Sequence, residues 1–245
     1  MCTPDCIDFV RRALEDEDLS ECDVLEAGSY DVNGSARSLI EPRCYTYCGI
    51  DIEEGPGVDE VVPAENLIEH GWLCAFSVVI TTEMLEHVED WRAVINNLKR
   101  ATSHGGLIVI TTRSIGFGYH GYPSDFWRYE KSDMEAIFAD WEILMLEDDP
   151  GEKIHPSFRG VFVKARKPST PYEEVDLSTI NLYAMEQPPA DGRILCQCGE
   201  ELEEVHLLTQ HAGVGTMSNF MGHTHKESRS DRCANGGYAM PRKSL

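Results

Sequence analysis

The spacing of apolar and polar positions changes repeatedly along residues 1–167 and predicts strands and helices in turn. Ile7, Phe9, Val10, Ala13 and Leu14 fall on one face of an opening helix. Asp23-Val24-Leu25-Glu26-Ala27 is a short apolar strand stopped by Gly28. Tyr45 to Asp51 is a second strand, and Val58 to Val62 a weaker third. Phe76 to Thr81 is almost wholly apolar, the pattern of a strand covered on both faces of a parallel sheet. Leu85, Val88, Trp91, Val94, Ile95 and Leu98 then recur at helical steps, and His104-Gly105-Gly106 turns the chain into the strand Leu107 to Thr112. A helix around Asp133 to Ala139, a strand from Trp141 to Leu146 and a closing strand from Gly160 to Arg166 complete the series.

Strands alternating with helices imply parallel pairing in a doubly wound α/β sheet. The last two strands have no long helix between them, so they are expected to pair antiparallel. Beyond Lys167 the periodicity stops. Pro168, Pro171, Pro188 and Pro189 punctuate a polar stretch, which divides the chain into a domain of residues 1–167, a linker of 168–192 and a Cys/His-containing tail of 193–245. The tail is expected to be a small or partly disordered module carrying a helix from Glu200 to Gln210. Cys196, Cys198, His206 and His211 suggest a zinc site. However, one residue between the cysteines and seven between Cys198 and His206 are too few for a standard finger, so no metal is assigned.

Charge narrows the partners. The 245 residues carry a formal net charge of −22, and the acidity runs the whole length. Nucleic acid and anionic membrane surfaces, both bound through Lys and Arg, are disfavoured. No stretch approaches the ~20 apolar residues of a membrane span, and Met1-Cys2-Thr3-Pro4-Asp5 lacks the basic start of a secretory signal. Nine cysteines is an odd number, and Cys22, Cys44, Cys48 and Cys74 sit singly in apolar segments, the pattern of reduced, buried cysteines in a cytoplasmic protein.

In an open α/β sheet, ligands sit beyond the carboxyl ends of the strands, where strand order reverses. Glu26-Ala27-Gly28-Ser29 lies at the end of the first strand, where a glycine lets the backbone approach a ligand closely. Asp51 ends the second strand, placed to accept from both ribose hydroxyls of a nucleoside. Singly, these residues read equally well as turn chemistry and a strand-end cap; together, in this order, they point to a nucleoside. Neither G-x-G-x-x-G nor G-x-x-x-x-G-K-[ST] is present, which argues for a ligand without phosphates.

Asp23-Val24-Leu25-Glu26-Ala27-Gly28, Gly49-Ile50-Asp51-Ile52, Thr82-Glu83-Met84-Leu85-Glu86-His87-Val88 and Gly105-Gly106-Leu107 together resemble a class I S-adenosylmethionine-dependent methyltransferase. The likeness is to small methyltransferase-domain proteins of the type-11 and type-23 kind and covers about residues 20–167. It implies a Rossmann-like, mostly parallel seven-stranded sheet with an antiparallel last strand. It also implies S-adenosylmethionine as cofactor and methyl transfer to a small-molecule acceptor. By the same resemblance, Glu26, Gly28 and Ser29 hold the methionine part of the cofactor, Asp51 the ribose, and Ile52 packs on the adenine. Ala64 and Glu65 meet the adenine edge, and Thr82 and Glu83 lie near the methyl donor and the acceptor. Two departures stand out: Ser29-Tyr30-Asp31 replaces the usual second glycine region, and Pro63 stands where an acidic residue is common.

Thr112 to Tyr129 follows the fifth strand and gathers aromatics, glycines and a few charges in one loop. It looks like the H-G-Y-P-x-D-F-W-R-Y segment of one branch of these enzymes. Phe126 and Trp127 read as core. His120, Tyr122, Asp125 and Arg128 are candidates for binding the acceptor, with Arg128 suited to clamping an anion or to pairing with Asp125. His87 and His120 are candidate general bases. Two other readings stand beside the methyltransferase: an NAD-dependent oxidoreductase, which Asp51 would also serve, and a non-catalytic binding module.

Overall fold

The structure is a computed structural model that describes residues 3–32, 34–120, 124–155 and 158–185, and the backbone of 202–209 and 219–225. Two compact units emerge: one holds residues up to Phe117 and 127–184, the other Gly118–Phe126 and the chain from Met185 on.

In the first unit, α1 (Pro4–Leu14) begins where the Thr3 hydroxyl accepts from the Cys6 N–H, with Pro4 at the first helical position, where its missing donor costs nothing. There follow β1 (Asp23–Ala27), α2 (Arg37–Ile40), β2 (Thr46–Asp51), β3 (Glu60–Val61), β4 (Phe76–Thr82), α3 (Trp91–Ala101) and β5 (Thr102–Arg113). Next come β6 (Trp127–Arg128), α4 (Lys131–Ile137), β7 (Glu142–Asp148), β8 (Gly160–Arg166) and β9 (Tyr183–Ala184). Seven strands form one sheet in the order β3-β2-β1-β4-β5-β8-β7. Pairing is parallel from β3 to β5, and β8 runs antiparallel to both β5 and β7. This is the mostly parallel sheet expected, including the antiparallel last strand. Strand order reverses between β1 and β4, so their carboxyl ends frame the crevice where such sheets bind ligands.

Alternation along each strand feeds two cores. Val24, Val78, Ile80 and Val109 face α1, where Phe9, Val10 and Leu14 pack with Phe162. Leu25, Val79, Ile108 and Ile110 face α3 and α4, where Trp91, Val94, Leu98 and Phe138 close the other side. Each such fully buried side chain contributes about 1.5–3 kcal/mol.

The third strand is shorter than its pattern suggests, because only Glu60 and Val61 pair with β2. The helical stripe from Leu85 is also interrupted: residues 85–87 form a 3-10 turn, and α3 starts at Trp91 because the Asp90 carboxylate caps it, accepting from the Ala93 N–H at 3.0 Å. Gly105 and Gly106 lie inside β5, where pairing with β4 jumps from Phe76–Thr102 to Val78–Leu107 and Gly105 takes φ +77°.

Residues 168–184 fall in the stretch read as linker, yet they lie along the sheet unit. Leu177 and Ile180 are buried, the Trp141 Nε1–H donates to the Tyr172 hydroxyl at 3.1 Å, and Arg92 Nε donates to the Leu177 carbonyl at 2.9 Å. β9 pairs with β6. In the second unit the Met185 N–H donates to the Phe126 carbonyl at 2.7 Å. There the helix expected over 200–210 is instead a strand: β10 (Leu202–Thr209) pairs antiparallel with β11 (Asn219–His225). A partner strand with which to share hydrogen bonds outweighs the local helical pattern. Cys196, Cys198 and His211 lie outside the described residues. Five described cysteines are free; Cys6 is buried, Cys22, Cys44 and Cys48 are half-buried, and Cys74 is exposed, contrary to the burial expected of it. Among the described residues no helix is long and apolar enough to cross a membrane.

Candidate functional site

The carboxyl ends of β1, β2 and β4 bring together Glu26, Gly28, Ser29, Asp51, Thr82 and Glu83. The Gly28 and Ser29 N–H groups both donate to the Ile50 carbonyl at 2.9 Å, which folds the turn after β1 over the end of β2. Gly28 has φ +78°, and a Cβ there would lie 2.8 Å from the Cβ of Met84. Its close approach is thus made by Met84, from the turn after β4, rather than left open. Ser29 is buried, and its hydroxyl has no hydrogen-bond partner among the described residues.

Asp51 is half-buried at the tip of β2. One carboxylate oxygen accepts from the Tyr30 N–H at 3.1 Å and the other from the Ile52 N–H at 2.7 Å. A carboxylate has about four acceptor positions, so about two remain for the vicinal hydroxyls of a ribose. The Ile52 side chain beside it is 55% exposed, an apolar surface next to the crevice. Ala64 is buried and Glu65 half-buried in a 3-10 turn whose carbonyls accept from the Asn97 side chain. Asp51, with acceptor positions to spare, and the apolar Ile52 stand together at the switch point of the sheet, chemistry that fits a nucleoside.

Glu26 is the last residue but one of β1. It is 1% exposed, and its carboxylate accepts from the Tyr47 hydroxyl at 2.8 Å, from Ser35 Oγ at 3.0 Å and from the Ala36 N–H at 3.3 Å. Burial raises its pKa, against the pull of those donors, and burial together with Glu26 raises that of Tyr47. Glu26 therefore ties the loop ahead of α2 to β2. The guanidinium of Arg37 stacks on the Tyr47 ring at 4.6 Å and ion-pairs with Asp59 and Glu41.

At the end of β4, Thr82 and Glu83 are both buried. Glu83 forms an ion pair with Arg113, which also meets Asp149 Oδ2 at 2.9 Å and the Phe117 ring at 4.3 Å. Burial opposes the Arg113 charge, but Glu83, Glu86 and Asp149 outweigh it and hold the guanidinium firmly protonated; burial raises the pKa of Asp149. Glu86 is fully buried, accepts from the Thr112 hydroxyl at 2.8 Å, and lies 3.9 Å from His87 Nε2. Composition hides this network. The one signal in the sequence is that Arg113 closes an otherwise uncharged run from Gly105 to Thr112.

The aromatic segment divides in two. Trp127 Nε1 donates to the Val88 carbonyl at 2.9 Å, the Tyr129 hydroxyl to the Leu85 carbonyl at 3.2 Å, and Arg128 Nε to the Phe117 carbonyl at 3.1 Å. Arg128 is fully buried, so these three residues brace the turns after β4 and β5. In the second unit, the buried Asp125 accepts from the His120 N–H at 2.9 Å and lies 3.0 Å from His120 Nδ1. That pairing favours a proton on Nδ1 and makes Nε2 the basic nitrogen. Tyr122 lies outside the described residues.

A mostly parallel sheet with helices on both faces and a carboxylate at its switch point defines a Rossmann-like α/β protein. The chain belongs to the methyltransferase-domain family, whose model matches residues 3–156, and is an S-adenosylmethionine-dependent methyltransferase. No curated protein matches it. Among solved structures, the 1,6-didemethyltoxoflavin N1-methyltransferase of Burkholderia thailandensis, with bound 1,6-didemethyltoxoflavin and S-adenosylhomocysteine, is 13% identical with a TM-score of 0.51, covering 67% of this chain and 77% of that one. The [4+2]-cyclase SpnF is 16% identical with a TM-score of 0.51, covering 67% of this chain and 80% of its own. At these identities the likeness is one of fold.

Proposed function

We propose that the protein transfers the methyl group of S-adenosylmethionine to a small-molecule acceptor. The observation that carries this reading is Asp51, which caps the turn after β1 yet keeps acceptor positions for a ribose at the switch point. Asp51 takes the ribose, Ile52 the adenine face, and Ala64 and Glu65 the adenine edge. Gly28 and Ser29 line the methionine end, with Glu26 behind them fixing their loop. Thr82 and Glu83 stand nearest the methyl group. The bound cofactor supplies an electrophilic methyl on a sulfonium, so the chain's task is to align the acceptor and exclude water.

His120 is the first candidate for taking the acceptor's proton, with Asp125 setting its tautomer, and His87 the second. Tyr122 stays a candidate for binding the acceptor, and Arg128 holds the turn after β5 through the Phe117 carbonyl. The acidic balance favours a neutral or cationic acceptor over a polyanion, and a cytoplasmic location is in keeping with it. The first unit, residues up to Phe117 and 127–184, carries the cofactor site in this reading, with the Cys/His-containing tail as an appendage. The test is a screen of metabolite extracts with methyl-labelled S-adenosylmethionine. Label recovered in a small molecule supports the reading, and absence of both transfer and S-adenosylhomocysteine binding contradicts it.

A further inference from the structure

We propose that Arg113 is a positioning residue for methyl transfer: it holds Glu83 in the left-handed turn that ends β4, and so sets the main chain of Thr82 and Glu83 against the methyl donor. The proposal rests on the cofactor reading above. Glu83 has φ +56°, a conformation that a non-glycine residue keeps only where its surroundings over-determine it. Its N–H donates to the Thr111 carbonyl at 2.9 Å, which fixes one side of the turn to β5. Its carboxylate is buried and ion-paired with Arg113, which fixes the other.

Arg113 is itself anchored on two sides. Asp149, at the end of β7, accepts from its Nη1 at 2.9 Å and also accepts from the Gly151 N–H at 2.8 Å, so that carboxylate is held in place. Phe117 lies 4.3 Å from the guanidinium carbon. One planar, multiply donating cation thus links the ends of β4, β5 and β7, and a lysine's point charge cannot span both carboxylates in that way. The Thr112 hydroxyl makes a second link, to Glu86 on the far side of the same turn. The part Glu83 plays at the cofactor is therefore that of its main chain, because its side chain is turned to Arg113.

The test measures S-adenosylhomocysteine affinity by calorimetry. Arg113→Met removes the Arg113 ion pair from the buried Glu83 and is expected to weaken binding about tenfold or more. Adding Glu83→Gly removes that carboxylate and supplies a residue at ease with positive φ, so Arg113→Met/Glu83→Gly binds more tightly than Arg113→Met, though short of the wild type because Asp149 has still lost its Arg113 partner. Arg113→Met/Glu83→Ala removes the same carboxylate but leaves a strained turn, and does not show that gain. Should Arg113→Met fail to fold, Arg113→Lys keeps the charge without the bridge and is expected to show a smaller loss of the same kind. Arginine variants that bind as tightly as the wild type, or alanine rescuing as well as glycine, overturn the proposal. A wild-type protein that does not bind S-adenosylhomocysteine overturns the cofactor reading and the proposal with it.

Discussion

Glu26 is a carboxylate that folding takes out of water, and its consequences are measurable. Burial raises its pKa in the folded state, so the folded protein holds that proton more tightly than the unfolded chain does. The resulting stabilisation is complete below the ordinary value of 4.5 and is lost as pH rises through the shifted value. Glu26→Gln keeps an acceptor for Tyr47 but cannot ionise, and is expected to lose less stability than the wild type as pH rises from 4.5 toward neutral. Thermal unfolding across that range checks it, and parallel profiles for the two proteins would contradict it. His120→Ala is expected to slow methyl transfer by about 10²-fold or more while S-adenosylhomocysteine still binds, measured by turnover and calorimetry on one preparation. The places of Asp51 at a strand end and Gly28 in a turn were legible in the sequence because both are local features. Arg113 was not, because what defines it is the company of Glu83 and Asp149, which only the folded sheet brings together.

Among the elements, period foretold most of the strands and helices, and caps decided where they begin. Leu85 and Val88 continue the apolar rhythm of α3, so the stripe alone places the helix start too early. Asp90 settles it by accepting from the first turn of α3. Asp90→Ala is expected to cost about 1 kcal/mol in urea unfolding, and Asp90→Asn much less. Equal losses for the two would mean that the cap bond is not what holds the turn. Leu107 to Thr112 read clearly as strand because neither face meets water, whereas β3 barely registers, with both of its residues exposed. The helix drawn over 200–210 shows the opposite limit: helical spacing was present, but β11, the partner that makes the segment a strand, lies beyond any local window.

For the molecule as a whole, the parallel sheet and its antiparallel closing strand follow from the order of elements, and the membership of residues 3–156 in the methyltransferase-domain family agrees with that order. The fold does not choose the reaction by itself: the same architecture serves a methyltransferase and a cyclase among its structural likenesses. Residues 168–184 were illegible as structure because prolines and polar residues mask the few apolar anchors they contribute. Leu177 is one such anchor, 3% exposed, and Leu177→Ala is expected to destabilise the sheet unit by about 2–5 kcal/mol in urea unfolding. A loss below about 0.5 kcal/mol would return the segment to the status of a linker.

The proposed hold of Asp51 on the ribose of S-adenosylmethionine at the switch point is open to direct measurement by calorimetry with S-adenosylhomocysteine. Saturable one-site binding to the wild type and none measurable to Asp51→Ala under the same conditions are expected. Asp51→Ala binding with unchanged affinity, or a wild type that binds NAD in place of S-adenosylhomocysteine, would contradict the proposed hold.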